Sequence, residues 1–178
     1  MSRIVTPAPD TVTGATAEVY AQIKKVAGRV PNAFAVIGAH APTALKAVLQ
    51  AEAALAAGSL SKQDQETIKL IVSEVTGCDY CATAHAFLGN LAGLKPDALR
   101  QLRTGEPTGD PKRDALARFV RILAQTSGTI SGGEFQTIRS AGYTDAQLVD
   151  ISLAIALTVF TNVFNRINNT DIDFPTVA

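Results

Sequence analysis

The chain has 178 residues, 47% hydrophobic and 18% charged. That is enough to bury a core without disulfide staples, and it excludes the polar low complexity of a disordered protein. Sixteen Lys and Arg balance sixteen Asp and Glu. The densest basic spot, Lys24, Lys25 and Arg29, reads as a solvated helix face, so nucleic acid is not expected as a partner.

Residues 1–13 read as an extended arm, and Met1 to Gly14 carries no apolar stretch of the kind a secretory signal needs. Helical spacing starts with Val19, Ile23 and Val26 on one face and ends at Gly28 and Pro31. A short helix over about Asn32 to Gly38 follows. Ala41-Pro42 then opens a longer helix carrying Leu45, Val48, Leu49, Ala53 and Leu55 to a stop at Gly58. Ser61 followed by Asp64 in the third helical position resembles a capping box, and the helix it opens runs to Thr76-Gly77. Cys78 comes directly after that stop, and a new helix carries His85, Leu88 and Leu91 to Gly93.

Lys95-Pro96-Asp97 opens a short helix to Leu102, and a Gly- and Pro-bearing loop spans Gly105 to Pro111. Asp110-Pro111 has the preferences of an N-cap and first helical residue, followed by Leu116, Phe119, Val120 and Leu123 at core spacing. Ser131 with Glu134 and Thr144 with Gln147 form two further capping-box patterns. The last helix, about Asp145 to Ile167, is long and apolar, and its stretch Ile151 to Phe164 is interrupted by Ser152, Thr158, Thr161 and Asn162. That stretch reads as too short to cross a bilayer and as a buried helix, so no membrane partner is expected. The tail Asp171 to Ala178 reads as an ordered or docked arm. The reading is an all-α fold of roughly eight helices, without a strand or a fixed-period repeat. It forms one domain over residues 1–178, with the site helices at about 61–93.

The only two cysteines, Cys78 and Cys81, exclude a disulfide scaffold. In a protein of the cytoplasm, where this chain is expected, their spacing points to redox or metal chemistry. On a helix, positions 78, 81 and 85 fall within an arc of about 60°, so both sulfurs and the His85 imidazole share a face. Cys78 stands at the helix start, where unpaired N–H groups and the macrodipole favour a thiolate. His85 is placed to take a thiol proton directly or through a water. A thiolate that attacks a peroxide oxygen becomes a sulfenic acid, and a second thiol three residues away condenses with it to a disulfide that an external dithiol must reduce. A carboxylate would complete the site. Glu66 and Glu74 both lie on the preceding helix, and composition does not choose between them.

Glu66, then eleven residues, Cys78-Asp-Tyr-Cys81, three residues and His85 resemble the core signature of the alkylhydroperoxidase D / carboxymuconolactone decarboxylase superfamily. The run Ser73 to His85, Val30-Pro31-Asn32, His40, Ala141 to Asp145 and Asn165-Arg166-Ile167-Asn168 resemble its peroxidase-related branch. The resemblance implies an alkylhydroperoxidase D-like helical fold assembled as a homo-oligomer, a dimer, trimer or hexamer. It implies Cys81 as the peroxidatic sulfur and Cys78 as the resolving one. His85 would act as base on Cys81 through a water, and Glu66 would join a proton relay with Cys78. The substrate would be a hydroperoxide and the partner a dithiol reductant, with no cofactor. There is one departure: the alkylhydroperoxidase D proper has His just before its second Cys, where this chain has Tyr80. The decarboxylase branch lacks the paired cysteines.

Other readings stand beside this one. Cys78 and Cys81 are alternatively two small buried side chains. Together with His85 and either His40 or a Glu they are a potential zinc set, although three ligands on one helix staple little. His40 and Tyr80 read as packing residues by default. At the level of function, the rivals are a thiol–disulfide sensor without peroxide turnover and a lyase using Glu66 and His85.

Overall fold

The computed structural model describes residues 1–177. Among them are nine helices and no strand: α1 Gly14–Ala27, α2 Asn32–His40, α3 Pro42–Ala56, α4 Lys62–Thr76, α5 Asp79–Leu91, α6 Pro96–Thr104, α7 Pro111–Gln125, α8 Gly132–Ser140 and α9 Asp145–Asn168. The sequence count of roughly eight falls one short. The three nine-residue helices α2, α6 and α8 are nonetheless each marked by a start in the sequence, so the shortfall lies in the count and not in a missed element.

Helix α4 is the hub, packed against α5, α7 and α9 and more lightly against α6. Its residues Ile68, Leu70, Ile71 and Val72 are fully buried in the main core with Leu55, Leu116, Val120 and Ile151. Each such side chain contributes about 1.5–3 kcal/mol through burial. A helix enclosed on most sides pairs most of its polar groups, because a buried one without a partner is costly, and Thr67 Oγ1 is the exception on α4. Gln65 accordingly donates to the carbonyls of Leu55 and Leu60, Lys69 pairs with Glu52 at 2.6 Å, and Ser73 donates to the Lys69 carbonyl. A second cluster joins α1, α2 and α3 through Tyr20, Ile23, Ile37 and Leu45.

The start signals act as their chemistry predicts. Ser61 accepts from the Asp64 N–H, Asp110 accepts from the N–H groups of Lys112 and Arg113, and Thr144 with Gln147 makes a reciprocal capping box. At Ser131 the box is half-formed: Glu134 N–H donates to the serine, but the Glu134 carboxylate goes to Arg118.

Helix α9 runs for 24 residues, Asp145–Asn168, within a residue of the expected bounds, and corrects the reading of its apolar stretch as a buried helix. By length and composition it is apolar enough to cross a membrane. It is also buried on one side only. Ile151, Ala154 and Leu157 enter the core, while Val149, Phe160, Val163 and Ile167 are exposed. Asn162, Asn165 and Asn168 lie on the buried side, where Asn162 donates to Thr76 at 2.8 Å. The apolarity therefore serves packing against α4, with polar ties at defined points.

Arg29 also departs from the solvated face expected of it. Its guanidinium pairs with Asp173 and lies over the Phe174 ring, so it anchors the C-terminal arm. The arm residues described, through Val177, dock on their own chain.

The three tyrosines, Tyr20, Tyr80 and Tyr143, are all buried, and burial is the first cause raising each hydroxyl above the ordinary tyrosine value. For Tyr143 the Asp64 carboxylate, which accepts its hydroxyl at 3.2 Å, pushes the same way. A tyrosine raised in the fold ionises first in the unfolded chain. The stabilisation is thus complete below about pH 10 and is lost as pH climbs past it. The melting temperature is expected to be level up to about pH 9 and to fall above about pH 10. Tyr143→Phe should flatten that fall, and an equally steep fall in the variant would remove Tyr143 from the account.

Candidate active site

The site is built where α4 ends and α5 begins. Gly77 adopts a left-handed conformation, φ 68°, that a residue with a side chain enters only at a cost. Its N–H donates to the Glu74 carbonyl at 3.1 Å, and the Cys78 N–H donates to the Ser73 carbonyl at 3.0 Å. This pair of bonds is the Schellman closure of a helix. Cys78 is at once the residue that closes α4 and the N-cap of α5. Its extended backbone, φ −98°, aims the sulfur back over the new helix, where it accepts from the Cys81 N–H at 3.3 Å.

The Cys78 and Cys81 sulfurs lie at disulfide distance, with Cα atoms 5.3 Å apart. They are 2% and 3% exposed, in a small cluster of their own with Ala33, Tyr80 and Phe174. Each sulfur also has one N–H donor. Cys78 has the first turn of α5, and Cys81 has the side-chain amide of Asn165 at 3.2 Å.

Glu66 and His85 form a second pair. His85 Nδ1 meets Glu66 Oε2 at 2.9 Å, and both side chains are mostly covered. A carboxylate only accepts, so the neutral imidazole holds its proton on Nδ1 and presents a lone pair at Nε2. The structure thus brings Cys78 to Cys81 and Glu66 to His85. Glu66 hydrogen-bonds the imidazole and not Cys78. Glu74, the other carboxylate open from composition, pairs with Arg103 at the surface.

Tyr80 and His40 go elsewhere. The Tyr80 hydroxyl accepts the Ala33 N–H at 3.2 Å, and its ring meets Phe174 edge-on at 5.7 Å. Burial, opposed by that N–H and reinforced by Asp173, keeps its hydroxyl protonated throughout the neutral range. His40 Nε2 lies 3.0 Å from the Val5 carbonyl and ties down the N-terminal arm.

Two openings approach the site and share no residue. A groove of 640 Å³ between α1, α3, α4 and α5 is lined by Ile23, Phe34, Leu49, Leu88 and Leu91, with Glu66 among its polar residues. A smaller cleft of 260 Å³ reaches Cys78, Asn165 and Thr170. Sequence reasoning passed over Asn165 and Thr170 as site residues. The available signal was asparagine at 162, 165 and 168, one face of an otherwise apolar helix.

Residues 40–120 match the Carboxymuconolactone decarboxylase family, and this span includes Glu66, both cysteines and His85. That match covers less than half of the 178 residues. The fold of the chain is the alkylhydroperoxidase D-like one. An uncharacterized peroxidase-related protein from Ralstonia eutropha JMP134, described as an alkylhydroperoxidase AhpD core, superposes with a TM-score of 0.84 at 23% identity, over 97% of this chain and 92% of that one. A second peroxidase-related protein, from Silicibacter sp. TM1040, gives 0.79 at 22% identity over 96% and 91%. The debrominase Bmp8, solved in complex with 2,3,4-tribromopyrrole, gives 0.82 at 16% identity over 97% and 94%. No curated protein matches the sequence.

Proposed function

We propose that this chain is a member of the alkylhydroperoxidase D / carboxymuconolactone decarboxylase superfamily and a thiol-dependent peroxidase that reduces organic hydroperoxides through Cys81 and Cys78. The observation that carries the reading is the pair of buried sulfurs at disulfide distance at the start of α5, each with an N–H donor, with a His85–Glu66 pair set by His85 four residues further along the same helix. His85 Nε2 takes the Cys81 proton through a bridging water, and Glu66 fixes the imidazole tautomer. The Cys81 thiolate attacks the terminal peroxide oxygen. An S–O bond forms, the O–O bond breaks, and the alkoxide leaves with a proton as the alcohol. Cys78 then attacks the Cys81 sulfenic sulfur, closing the disulfide and releasing water. A dithiol, as a protein or a small molecule, restores both thiols by exchange. The protein acts as a soluble homo-oligomer of the cytoplasm, where thiols are kept reduced.

The groove beside Glu66 suits the apolar part of the substrate, being lined mainly by aliphatic and aromatic side chains. The test is to treat reduced protein with one equivalent of cumene hydroperoxide or of hydrogen peroxide and to follow mass and free thiols. The expected result is loss of two hydrogens and both thiols, faster with the organic peroxide. Surviving thiols would sink the peroxidase reading, and equal rates would remove the groove from it.

A second reading draws on the debrominase neighbour. The same two thiols supply the electron pair that replaces a carbon–bromine bond by carbon–hydrogen, giving a disulfide, bromide and a proton. A bromopyrrole run beside the peroxides separates the two: bromide release without peroxide consumption selects it.

A further inference from the structure

We infer that Asn165 is a catalytic residue of the thiol site, its amide N–H held toward Cys81 by a one-way hydrogen-bond chain and stabilising the Cys81 thiolate. The inference rests on Cys81 being the working thiol of the proposed function.

The direction of the chain follows from a single fixed donor. The backbone N–H of Ile4 donates to Asn168 Oδ1 at 2.8 Å, and a backbone N–H can only donate. Asn168 therefore has its oxygen toward Ile4 and its NH₂ toward Thr170, donating to Oγ1 at 2.9 Å. Thr170 has one hydroxyl proton. With its oxygen already accepting, that proton goes to Asn165 Oδ1 at 2.8 Å. The Asn165 NH₂ is then left facing Cys81 Sγ at 3.2 Å. Reversing the Asn165 amide would set its oxygen against the sulfur and its NH₂ against a donor, so each link opposes the flip.

The local fold supplies the geometry. Asn169 ends α9 in the left-handed conformation, φ 51°, and the Thr170 N–H closes back on the Asn165 carbonyl at 3.1 Å. That turn brings the Thr170 hydroxyl under Asn165. The side chains of the chain are buried: Asn165 is 3% exposed, Asn168 0% and Thr170 7%. A hydrogen bond to a charged sulfur in such a place is stronger than one in water.

Both half-reactions use this N–H. In the forward step it favours the thiolate that attacks oxygen. In the reductive step a thiolate of the reductant, entering by the cleft that reaches Cys78, attacks the Cys78 sulfur and forms a mixed disulfide. The Cys78–Cys81 bond breaks, and Cys81 leaves as a thiolate already facing its donor.

The test is a thiolate titration by ultraviolet absorbance in a Cys78→Ser background, where Cys81 is the sole thiol. The charged and titratable groups nearby, Glu66, His85, Asp79, Tyr80 and Arg166, are unaltered in every variant. Asn165→Leu is expected to move the midpoint up by about one pH unit while leaving the full alkaline amplitude. Thr170→Val should move it in the same direction, and Thr170→Ser, which keeps the hydroxyl, should restore it. Asn162→Leu removes a buried α9 asparagine that bonds Thr76 rather than sulfur, and should leave the midpoint in place. A parent-like midpoint in Asn165→Leu overturns the assignment, and one in Thr170→Val overturns the chain that orients it. An equal shift in Asn162→Leu assigns the effect to packing. The titration consumes no peroxide, so it can fail while hydroperoxide reduction stands, and the reverse.

Discussion

A Cys81→Ser protein is expected to show no hydroperoxide turnover above the uncatalysed rate, whereas Cys78→Ser should react once and stop. The asymmetry follows from the two environments. Cys81 sits inside α5 within reach of a side-chain amide, while Cys78 is the N-cap residue beside the cleft. In the proposed cycle the first sulfur receives oxygen and the second is met by the reductant. After one equivalent of cumene hydroperoxide, Cys78→Ser should gain one oxygen on Cys81, because no partner thiol remains to condense with the sulfenic acid. Cys81→Ser should keep its remaining thiol. Exchanged outcomes, with oxygen on Cys78, would reverse the roles without ending the two-thiol cycle. Full turnover in both variants would move the chemistry to an acid–base site, as the lyase reading requires. A normal rate of disulfide exchange with negligible peroxide consumption would identify the sensor instead.

Much of this site is local, which is why a sequence displays it. Gly77 as a left-handed stop, Cys78 as the next N-cap and Cys81 one turn on are consequences of backbone chemistry within five positions. The capping residues Ser61, Asp110 and Thr144 announce helix starts for the same reason. What stays hidden depends on which helices cross. Glu66 and Glu74 sit on one helix, and only the α4–α5 packing gives the first to His85 and leaves the second to Arg103. Asn165 lies 84 positions from the sulfur it meets, and although its segment figures in the family resemblance, nothing in the sequence joins it to Cys81. The apolar run of the same helix misleads about burial, since periodicity cannot tell a helix enclosed on all sides from one whose other face, Val149 to Ile167, is open.

The second large effect is expected at the His85–Glu66 pair. If Nε2 of His85 removes the Cys81 proton, His85→Ala should lower the rate of hydroperoxide reduction by about 10²–10⁴-fold, the usual span for a positioned general base. Glu66→Gln should cost less than His85→Ala. A glutamine oxygen still accepts the Nδ1 proton and keeps the lone pair on Nε2, but it offers no charge to steady the imidazolium once the proton has moved. Glu66→Leu should fall between them, because it frees the tautomer as well as removing the charge. The measurement is the single-turnover rate with excess hydroperoxide, which excludes the reductant step, alongside the melting temperature of each variant. The order His85→Ala, Glu66→Leu, Glu66→Gln, from slowest to fastest, is what a base and its orienting carboxylate produce. Equal rates in all three, with lowered melting temperatures, would make the pair a structural tie between α4 and α5. The thiolate would then depend on the α5 N-terminus and Asn165 alone.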